Sequence, residues 1–404
     1  MEKKNVPKIR FPGVTERWEQ RKLGEISDKV TEKNINNTYN ETFTNSAEYG
    51  IIPQRDFFEK DISNIKNLNG YYVVRNDDFV YNPRISNFAP VGPIKRNKLL
   101  KTGVMSPLYY VFRTRDIDRT YLEHYFDTTY WHMFMKLNGD SGARSDRFAI
   151  KDSVFVEMPI PFPKLEEQKK IGMFFEEFDN LITLHQRKLE NLKKQKKGLL
   201  QKMFPEKGKK VPEIRFPEFT NDWEQRKLES VIEDYVEKST VENQYPVLTS
   251  SQQMGIVLQD DYFSGDRVSQ SGNIGYFIIP KGYFAYRSRS DNNVFVFNRN
   301  DCVDKGIISY FYPVFKPKGV DSDFLLRRLN YGLETQLRIA SEGTGQHVLS
   351  LKKFKSMIAL FPKFKEQEQI GTFFRNLDNL ISLHQRKLEH LQKQKKALLQ
   401  QMFV

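Results

Sequence analysis

The sequence predicts an α+β protein in which two mixed α/β domains alternate with two long helices, as an internal pseudo-two-fold repeat. Three observations predict this fold class. The chain repeats itself once, each repeat begins with short apolar runs bounded by turn residues, and each repeat ends in a long segment with helically spaced apolar residues. At 404 residues, the chain is also too long for a single ordinary core.

The repeat is visible in matching segments of the two halves. Trp18–Leu23 returns letter for letter as Trp223–Leu228, and Val6–Pro12 returns with one change as Val211–Pro217. The matches divide the chain into a first domain at residues 1–160, a first helix at 161–205, a second domain at 206–360 and a second helix at 361–404.

The domain segments are rich in Tyr, Phe, Val, Ile, Gly and Pro. Runs of β-branched and aromatic residues at Tyr71–Val74, Tyr109–Phe112 and Val294–Phe297 predict strands. Short helices are expected around Tyr121–Phe126 and Phe324–Leu329. Each domain is therefore expected to mix strands with short helices.

In both long helices the apolar residues recur in steps of three and four, and the same spacing includes Lys196 and Lys395. Neither apolar stripe is stable in water alone, so the two are expected to pack together as an antiparallel coiled coil with the domains at opposite ends. The predicted packing residues are Ile171, Phe175, Phe178, Ile182, Leu189, Leu192 and Leu199 in the first helix, and Ile370, Phe374, Leu377, Ile381, Leu388, Leu391 and Leu398 in the second.

Composition narrows the function classes. Lys and Arg number 64 against 51 Asp and Glu, a formal net charge of +13, which favours nucleic acid first and an anionic membrane surface second as partner. The single cysteine, Cys302, excludes a disulfide framework and a cysteine-based zinc site. Because no bilayer-spanning apolar run and no secretory signal are present, we expect a soluble cytoplasmic protein that does not act in a membrane.

Motifs for catalysis are missing from the sequence. There is no Walker loop, no His-Glu-x-x-His and no Gly-x-Ser-x-Gly element. Asn82–Arg84 resembles the Asn-Pro-Pro-aromatic element of adenine methyltransferases only weakly, and its counterpart Arg287–Arg289 does not resemble it at all. The six histidines are too scattered to predict a metal site. We therefore predict a chain without catalytic residues or bound metal.

Several of the repeated segments together carry a family resemblance. They are Trp18–Gly24, the run Pro161–Gln168 and the segment Asp179–Ile182, and the second repeat has Phe361–Ile370 and Asp378–Ile381 at matching places. With these segments the whole chain resembles the specificity subunit of a Type I restriction-modification enzyme.

The resemblance implies two target recognition domains, each reading one half of a bipartite, asymmetric site in double-stranded DNA, and a helix pair that sets the spacer. It implies docking of two modification subunits, which carry S-adenosylmethionine and methylate adenine, and of restriction subunits, the ATP-driven motor-nucleases. It gives this chain neither a reaction nor a cofactor, and S-adenosylmethionine, ATP and Mg are expected on the partner subunits.

Base readout favours Arg, Asn, Gln, Ser and Thr near aromatic support, while Lys and Arg contact phosphates. The segments that differ most between the repeats are the best candidates for these contacts. In the first domain they are Gln54, Arg55, Arg84, Ser86, Asn87 and the loop with Ser141, Arg144 and Arg147; in the second they are Gln259, Arg287, Arg289, Asn292, Asn293, Thr344, Gln346 and His347.

Some alternatives remain open at this level. The basic helix segments Lys193–Lys197 and Lys393–Lys396 either face solvent and partner subunits, which we favour, or track phosphates across the spacer. A stand-alone DNA enzyme and a purely structural scaffold are the competing function classes. Catalytic turnover by the chain alone would support the first, and an absence of sequence-selective DNA binding would support the second.

Overall fold

A computed structural model describes residues 6–57, 68–140, 146–263, 272–343 and 345–404. The chain divides into two compact units. Unit 1 combines Met1–Gln186 with Arg386–Val404, and unit 2 is Arg187–Gln385. Among the described residues, no helix combines the length and the apolar character needed to cross a bilayer.

The first repeat mixes short strands and helices before its long helix, which unit 1 contains as far as Gln186. In chain order its elements are β1 Glu19–Lys22, α1 Leu23–Ile26, β2 Ser27–Lys29, β3 Phe43–Ser46, β4 Gly50–Pro53, α2 Gln54–Phe57, β5 Tyr72–Val74, β6 Phe79–Tyr81, β7 Ile94–Arg96, β8 Gly103–Met105, β9 Tyr110–Thr114, α3 Arg119–Phe126, α4 Tyr130–Asn138, α5 Asp152–Phe155, β10 Pro159–Phe162 and the long helix α6, Leu165–Met203.

The second repeat has the same order with two additional two-residue strands, and unit 2 contains its long helix as far as Gln385. Its elements are β11 Glu224–Lys227, a short 3₁₀ turn at Leu228–Ser230, β12 Ile232–Tyr235, β13 Val247–Ser251, β14 Gly255–Leu258, α7 Gln259–Tyr262, β15 Phe277–Pro280, β16 Phe284–Tyr286, β17 Arg289–Ser290, β18 Phe297–Arg299, β19 Lys305–Ile308, β20 Val314–Pro317, α8 Ser322–Leu329, α9 Glu334–Ala340, β21 His347–Val348, α10 Leu351–Lys355, β22 Ile358–Phe361 and the long helix α11, Phe364–Met402.

One four-stranded sheet has the same connectivity in both units, whereas four further strands are ordered β14-β13-β19-β15 in unit 2 and form the separate pairs β3-β4 and β5-β8 in unit 1. In unit 1 a four-stranded sheet has the order β2-β9-β6-β7, and in unit 2 the corresponding order is β12-β20-β16-β18. The rings of Phe79 and Phe112 stack in the first sheet at 5.4 Å between centroids, and those of Phe284 and Phe315 stack in the second at 5.5 Å. The predicted fold class, with its internal repeat, is confirmed.

The short helices predicted from sequence are present as α3 and α8. The strand predicted at Val294–Phe297 is wrong for its first three residues, because β18 begins only at Phe297. The backbone N–H of Val294 donates to Ser290 Oγ at 3.0 Å and to Asn292 Oδ1 at 3.2 Å. Side-chain acceptors thus replace a strand partner, as is common where Ser and Asn occur in turns.

In unit 1 the beginning of α6 packs against the end of α11. Ile171 and Phe175 of α6 lie in the same buried cluster as Leu399 and Met402 of α11, together with Phe403 just beyond it. The first half of one helix meeting the second half of the other means that the two helices run antiparallel here. The core of the first domain is therefore completed by the end of the second repeat.

Unit 2 has the reciprocal arrangement. Met203 of α6 and Phe204 directly after it share a buried cluster with Ile370 and Phe374 of α11. The rings of Phe204 and Trp223 are 5.8 Å apart and nearly perpendicular. The core of the second domain is thus completed by the end of the first repeat, again with antiparallel helices.

Lys196 and Lys395, which occupy positions in the apolar stripes of the two long helices, form ion pairs between the helices. Lys395 Nζ lies 2.6 Å from Asp179 Oδ1 in unit 1, and Lys196 Nζ lies 2.5 Å from Asp378 Oδ1 in unit 2. For these two lysines, the preference for solvent or partner contact is wrong. The predicted apolar packing positions of both helices are buried or half-buried, and their role in helix pairing stays a prediction.

A buried carboxylate fastens each long helix to the start of its own repeat. Glu167 accepts two hydrogen bonds from Arg10, at 2.9 and 2.8 Å, and one from Trp18 Nε1 at 3.0 Å. Glu366 accepts the equivalent bonds from Arg215, at 2.7 and 2.8 Å, and from Trp223 at 3.3 Å. The similarity of these segments in the two repeats therefore has a structural cause: their arginine and tryptophan bind the buried carboxylate.

Candidate nucleic-acid interface

A surface cleft of about 490 Å³ opens in unit 1 between α2, the turn after β6 and the segment that follows residue 145. Four residues predicted to contact DNA line it: Gln54, Arg84, Ser86 and Arg147. Arg84 and Ser86 come from the turn after β6, and Arg147 comes from much later in the chain. The fold thus brings separate parts of the prediction together at one surface.

Arg84 and Arg147 lie opposite each other in an antiparallel bridge. The N–H of Ile85 donates to the Asp146 carbonyl at 3.1 Å, and the N–H of Phe148 donates to the Pro83 carbonyl at 2.8 Å. Side chains of opposed residues lie on the same face, and like charges there are destabilising. Neither arginine forms an ion pair within the part of the chain that the structure describes, which favours an anionic ligand.

Asn82 fixes the backbone from which Arg84 emerges. Its Oδ1 accepts from the Arg84 N–H at 3.0 Å, and its Nδ2 donates to the Asn45 carbonyl at 2.8 Å. Asn45 in turn donates to the Val80 carbonyl at 2.7 Å. Asn82 therefore has a structural role, which accounts for the residue without the weak resemblance to methyltransferases.

Two amide oxygens of unit 1 are buried acceptors. Gln54 Oε1 and Asn45 Oδ1 have no hydrogen-bond partner among the residues described. Buried acceptors normally have a hydrogen-bond partner. Gln54 lines the cleft, so its Oε1 can accept a hydrogen bond from a ligand there.

Neutral tyrosines anchor the strands that lead to the arginines. Burial raises the pKa of Tyr81 and of Tyr286 well above the usual tyrosine range. Each hydroxyl donates to a carbonyl: Tyr81 to Val91 at 3.0 Å, and Tyr286 to Leu349 at 3.1 Å. Protonated phenols in these positions hold the ends of β6 and β16.

The sequence prediction missed the aromatic residues of the cleft. Tyr71, Tyr109 and Phe88 line it, and Phe88 is 80% exposed. Ser86 and Ala89 exchange backbone hydrogen bonds, both at 3.1 Å, which produces the turn that holds Phe88 at the surface. An aromatic residue directly after the polar Ser86 and Asn87 was the available signal, since aromatic side chains near basic groups are typical of nucleic-acid surfaces.

Unit 2 has two adjoining clefts, of about 530 and 460 Å³, which share Ser250, Tyr262, Arg287 and Arg289. The predicted residues Gln259 and Gln346 line the larger cleft, and Asn292 lines the smaller. Both arginines are exposed. As in unit 1, several separate predictions meet at one surface.

Arg289 is supported by an aromatic ring. Its guanidinium carbon lies 4.4 Å from the centroid of the Phe311 ring. A stacked guanidinium keeps its in-plane N–H donors available. Within the described ranges, neither Arg289 nor Arg287 forms an ion pair with a carboxylate.

The other predicted residues of unit 2 form hydrogen bonds within the domain, one inside a single turn and two between segments that are distant in the chain. Asn292 Oδ1 accepts from Ser290 Oγ at 2.9 Å, and Asn293 Oδ1 accepts from Ser341 Oγ at 2.7 Å. Gln346 donates to Asp291 at 3.3 Å. His347 is half-buried in β21, opposite Ser290 of β17. Asn292 and Gln346 line the clefts, whereas Asn293 and His347 are not among the lining residues. DNA contact by all four stays a prediction.

The remaining predicted residues lie elsewhere. Arg55 is exposed on α2, and Asn87 is exposed in the turn after β6, but neither is among the cleft-lining residues. Ser141, Arg144 and Thr344 lie outside the described residues. Over the described ranges there is also no group of three or more His, Cys, Asp or Glu side chains arranged to hold a metal ion.

The two surfaces occupy equivalent places in the repeat. Gln54 and Gln259 each begin the short helix after the second strand of a hairpin, and Arg84 and Arg289 each follow the strand that ends in Tyr81 or Tyr286. The lining aromatics Tyr71 and Tyr109 correspond to Tyr276 and Tyr312. One surface has thus been duplicated with part of its chemistry retained.

Residues 15–194 and 220–393 match the family model described as Type I restriction modification DNA specificity domain. The two matched segments together cover well over half of the chain, once in each repeat.

Curated relatives include the MjaVIII specificity subunit of a Type I restriction enzyme from Methanocaldococcus jannaschii, 24% identical over 287 residues, which are 62% of this chain and 62% of that protein. A putative MjaX specificity subunit from the same organism is 23% identical over 278 residues, 62% of this chain and 60% of that protein. The chain thus spans a little under two thirds of these relatives' length.

Among solved structures, the crystal structure of the S subunit of a Type I restriction-modification system from M. genitalium has a TM-score of 0.61 at 13% identity. The match covers 99% of this chain and 99% of that one. At this identity the likeness shows the fold.

Proposed function

Because the chain belongs to the family of Type I restriction modification DNA specificity domains, we propose that it is the DNA specificity subunit of a Type I restriction-modification complex. Each unit would read one half of a bipartite, asymmetric site in double-stranded DNA. The proposal gives the chain no catalytic step of its own.

The observation that carries the proposal is that the equivalent surfaces of the two units, one cleft in unit 1 and two adjoining clefts in unit 2, hold arginines without a carboxylate partner among the described residues. Arg84 and Arg147 in one unit, and Arg287 and Arg289 in the other, stand beside amide, hydroxyl and aromatic side chains. Arginine supplies the forked donors that recognise phosphate and guanine, and amides recognise adenine. A surface of this composition suits the grooves of DNA.

Differences between the clefts support two unlike half-sites. The position opposite the arginine is Arg147 in unit 1 and Val348 in unit 2. Asn82 of unit 1 is replaced by Arg287, and Leu108 is replaced by Phe311. Since these replacements change donors, acceptors and apolar contacts, the bases read by the two units would differ.

The long helices would set the spacer and bind partner subunits. Each helix presents a matching pair of exposed leucines: Leu181 and Leu184 on α6, exposed by 45% and 47%, and Leu380 and Leu383 on α11, exposed by 45% and 55%. Duplicated apolar patches would suit two copies of one partner. We infer two modification subunits that bind S-adenosylmethionine and methylate adenine, joined by restriction subunits that use ATP and Mg.

The test is to map methylated adenines in DNA exposed to the full chain assembled with the modification subunits. We expect methylation confined to one bipartite motif, with two unlike halves around an unspecified spacer. The control is the modification subunits without this chain, which should methylate no defined motif. Methylation of the same motif without the chain, or turnover by the chain alone, would contradict the proposal.

A further inference from the structure

Arg84 and Arg289 emerge from the same backbone position of the duplicated fold. In unit 1 the N–H of Phe148 donates to the Pro83 carbonyl at 2.8 Å, and in unit 2 the N–H of Leu349 donates to the Ser288 carbonyl at 2.9 Å. Each bond fixes the residue just before the arginine. The two arginine side chains are therefore attached at equivalent backbone positions, each fixed by a hydrogen bond to a distant segment.

The neighbours retained around the two arginines are those that support base readout. Gln54 and Gln259 occupy the same place, as do Ser106 and Ser309 on the opposite wall. The aromatic pairs described above are also retained. Most of each domain has diverged between the repeats, so the retention of this small group indicates a function that both units share.

Arginine in this setting has a preferred base. Its two parallel N–H donors fit the O6 and N7 acceptors of guanine in the major groove, the commonest specific contact between a side chain and a base. Both arginines are exposed and, within the residues described, have no carboxylate to occupy those donors. The ring of Phe311 at 4.4 Å orients the guanidinium of Arg289 without using its N–H groups.

We propose that Arg84 and Arg289 each bind one guanine, so that both halves of the site contain a guanine read from the same structural position although the rest of the halves differ. The inference rests on the proposed function and deepens it. The remaining bases would be read by the residues that differ between the clefts.

The test is selection of the full-length chain on a duplex library with randomised positions, for wild type, Arg84→Ala and Arg289→Ala. We expect wild type to enrich a bipartite motif with a guanine in each half. Arg84→Ala should lose the preference at the guanine of one half only, and Arg289→Ala at that of the other. Each loss of discrimination should be roughly five- to 150-fold.

Matched controls are Arg21→Ala and Arg226→Ala, which change equivalent arginines beside Phe162 and Phe361, away from the clefts. They should leave the enriched motif unchanged. Arg84→Lys and Arg289→Lys retain the charge but lose the forked geometry, so they should lose the guanine preference while retaining most of the affinity, which separates readout from misfolding.

The outcomes distinguish this inference from the function on which it rests. A bipartite motif that lacks a guanine in either half, or alanine variants that weaken binding to all sequences alike, would overturn the inference and leave the specificity function standing. A wild-type chain that enriches no sequence at all would overturn both.

Discussion

Glu167 and Glu366 are nearly inaccessible carboxylates, with side chains 4% and 1% exposed. Each is neutralised by one arginine and also accepts from one tryptophan. Removing one partner of a buried ion pair leaves a charge without compensation, which costs more than the pair itself contributes. These residues therefore couple the start of each repeat to its long helix.

We expect Arg10→Met and Arg215→Met each to lower the free energy of unfolding by about 3–5 kcal/mol, because Glu167 or Glu366 stays buried and unpaired. Chemical denaturation followed by circular dichroism measures the change. Arg21→Met is the control, since Arg21 pairs with Glu19 at the surface and the denaturation midpoint should barely move. Equal effects for all three variants would refute a special role of the buried pairs.

A second residue-scale expectation concerns Asp127. Burial alone would raise its pKa, but Lys95 at 2.7 Å, with His124 and Lys395 nearby, holds the pKa well below the usual range. A carboxyl group with a lowered pKa stabilises the fold above its unfolded pKa of about 3.9. That stabilisation is lost as the pH falls through the folded-state pKa.

Asp127→Asn should therefore be less stable than wild type at pH 7, with a difference that shrinks as the pH falls below about 4. Thermal unfolding across this pH range measures it. Asp28→Asn, at an exposed ion pair with Arg115, is the matched control and should show a much smaller difference throughout. A difference that grows towards acid pH would contradict the assignment.

At the scale of elements, the reciprocal ion pairs Asp179–Lys395 and Lys196–Asp378 tie α6 to α11 once in each unit. All four side chains are between 14% and 35% exposed. Partial burial strengthens a pair relative to one in open water. The pairs also specify how far one helix is shifted along the other, since a displaced helix would separate the charges.

Reversing one charge, in Asp179→Lys or Lys395→Asp, should destabilise unit 1, and reversing both should restore much of the loss. The double-mutant cycle should give a coupling energy of about 0.5–3 kcal/mol, the range for residues in contact. The same cycle on the surface pair Lys202–Glu213 is the control. A coupling energy no larger than that of the control would refute the role in setting the helix register.

Prediction from sequence succeeded for elements whose signal is local. The spacing along α6 and α11 and the short apolar runs depend on neighbouring residues, so the long helices and the strands at Tyr72–Val74 and Tyr110–Phe112 could be predicted. The partners of Lys196 and Lys395 could not be predicted, because they lie on the other long helix. Finding them requires knowing how far one helix is shifted along the other. The β-branched side chain of Val294 predicts a strand, but the backbone N–H of this residue donates to Ser290 and Asn292 instead.

The candidate site shows the same limit. Arg84 and Arg289 could be chosen because they stand where the repeats diverge, beside residue types suited to base contacts. That Arg147 lies opposite Arg84, or that Phe311 lies under Arg289, depends on strand pairing between distant segments. The amide side chains of Asn292 and Asn293 suit contacts with DNA bases, and in the structure each accepts a hydrogen bond from a serine hydroxyl of the domain.

For the whole molecule, the net charge of +13 predicts binding to DNA that weakens steeply with salt. With six to ten phosphate contacts, affinity should fall by roughly 10³–10⁵ between 50 and 200 mM salt. Fluorescence anisotropy with the full chain measures the slope. A salt-independent affinity would contradict a nucleic-acid surface.

The exposed lysines Lys193, Lys194 and Lys197 should not contribute to that slope, because we favour solvent and partner contact for this face of α6. The triple variant to Gln should therefore leave the slope unchanged. Arg147→Gln, at the cleft, is the comparison and should reduce it by about one. A reduction of about one for each lysine would show instead that the helix contacts phosphates.

Each core is closed by the last turn of the other repeat's helix, and this affects the order of folding during synthesis. Domains usually fold as they leave the ribosome, the N-terminal one first. Here Trp18 and Tyr121 meet Phe403, at 6.4 and 5.3 Å between ring centroids, only once Phe403 itself has been made. The first domain thus closes its core after residues 206–360 of the second domain have been translated, and a nascent chain that stalls before Phe403 would leave those rings exposed to chaperones and proteases.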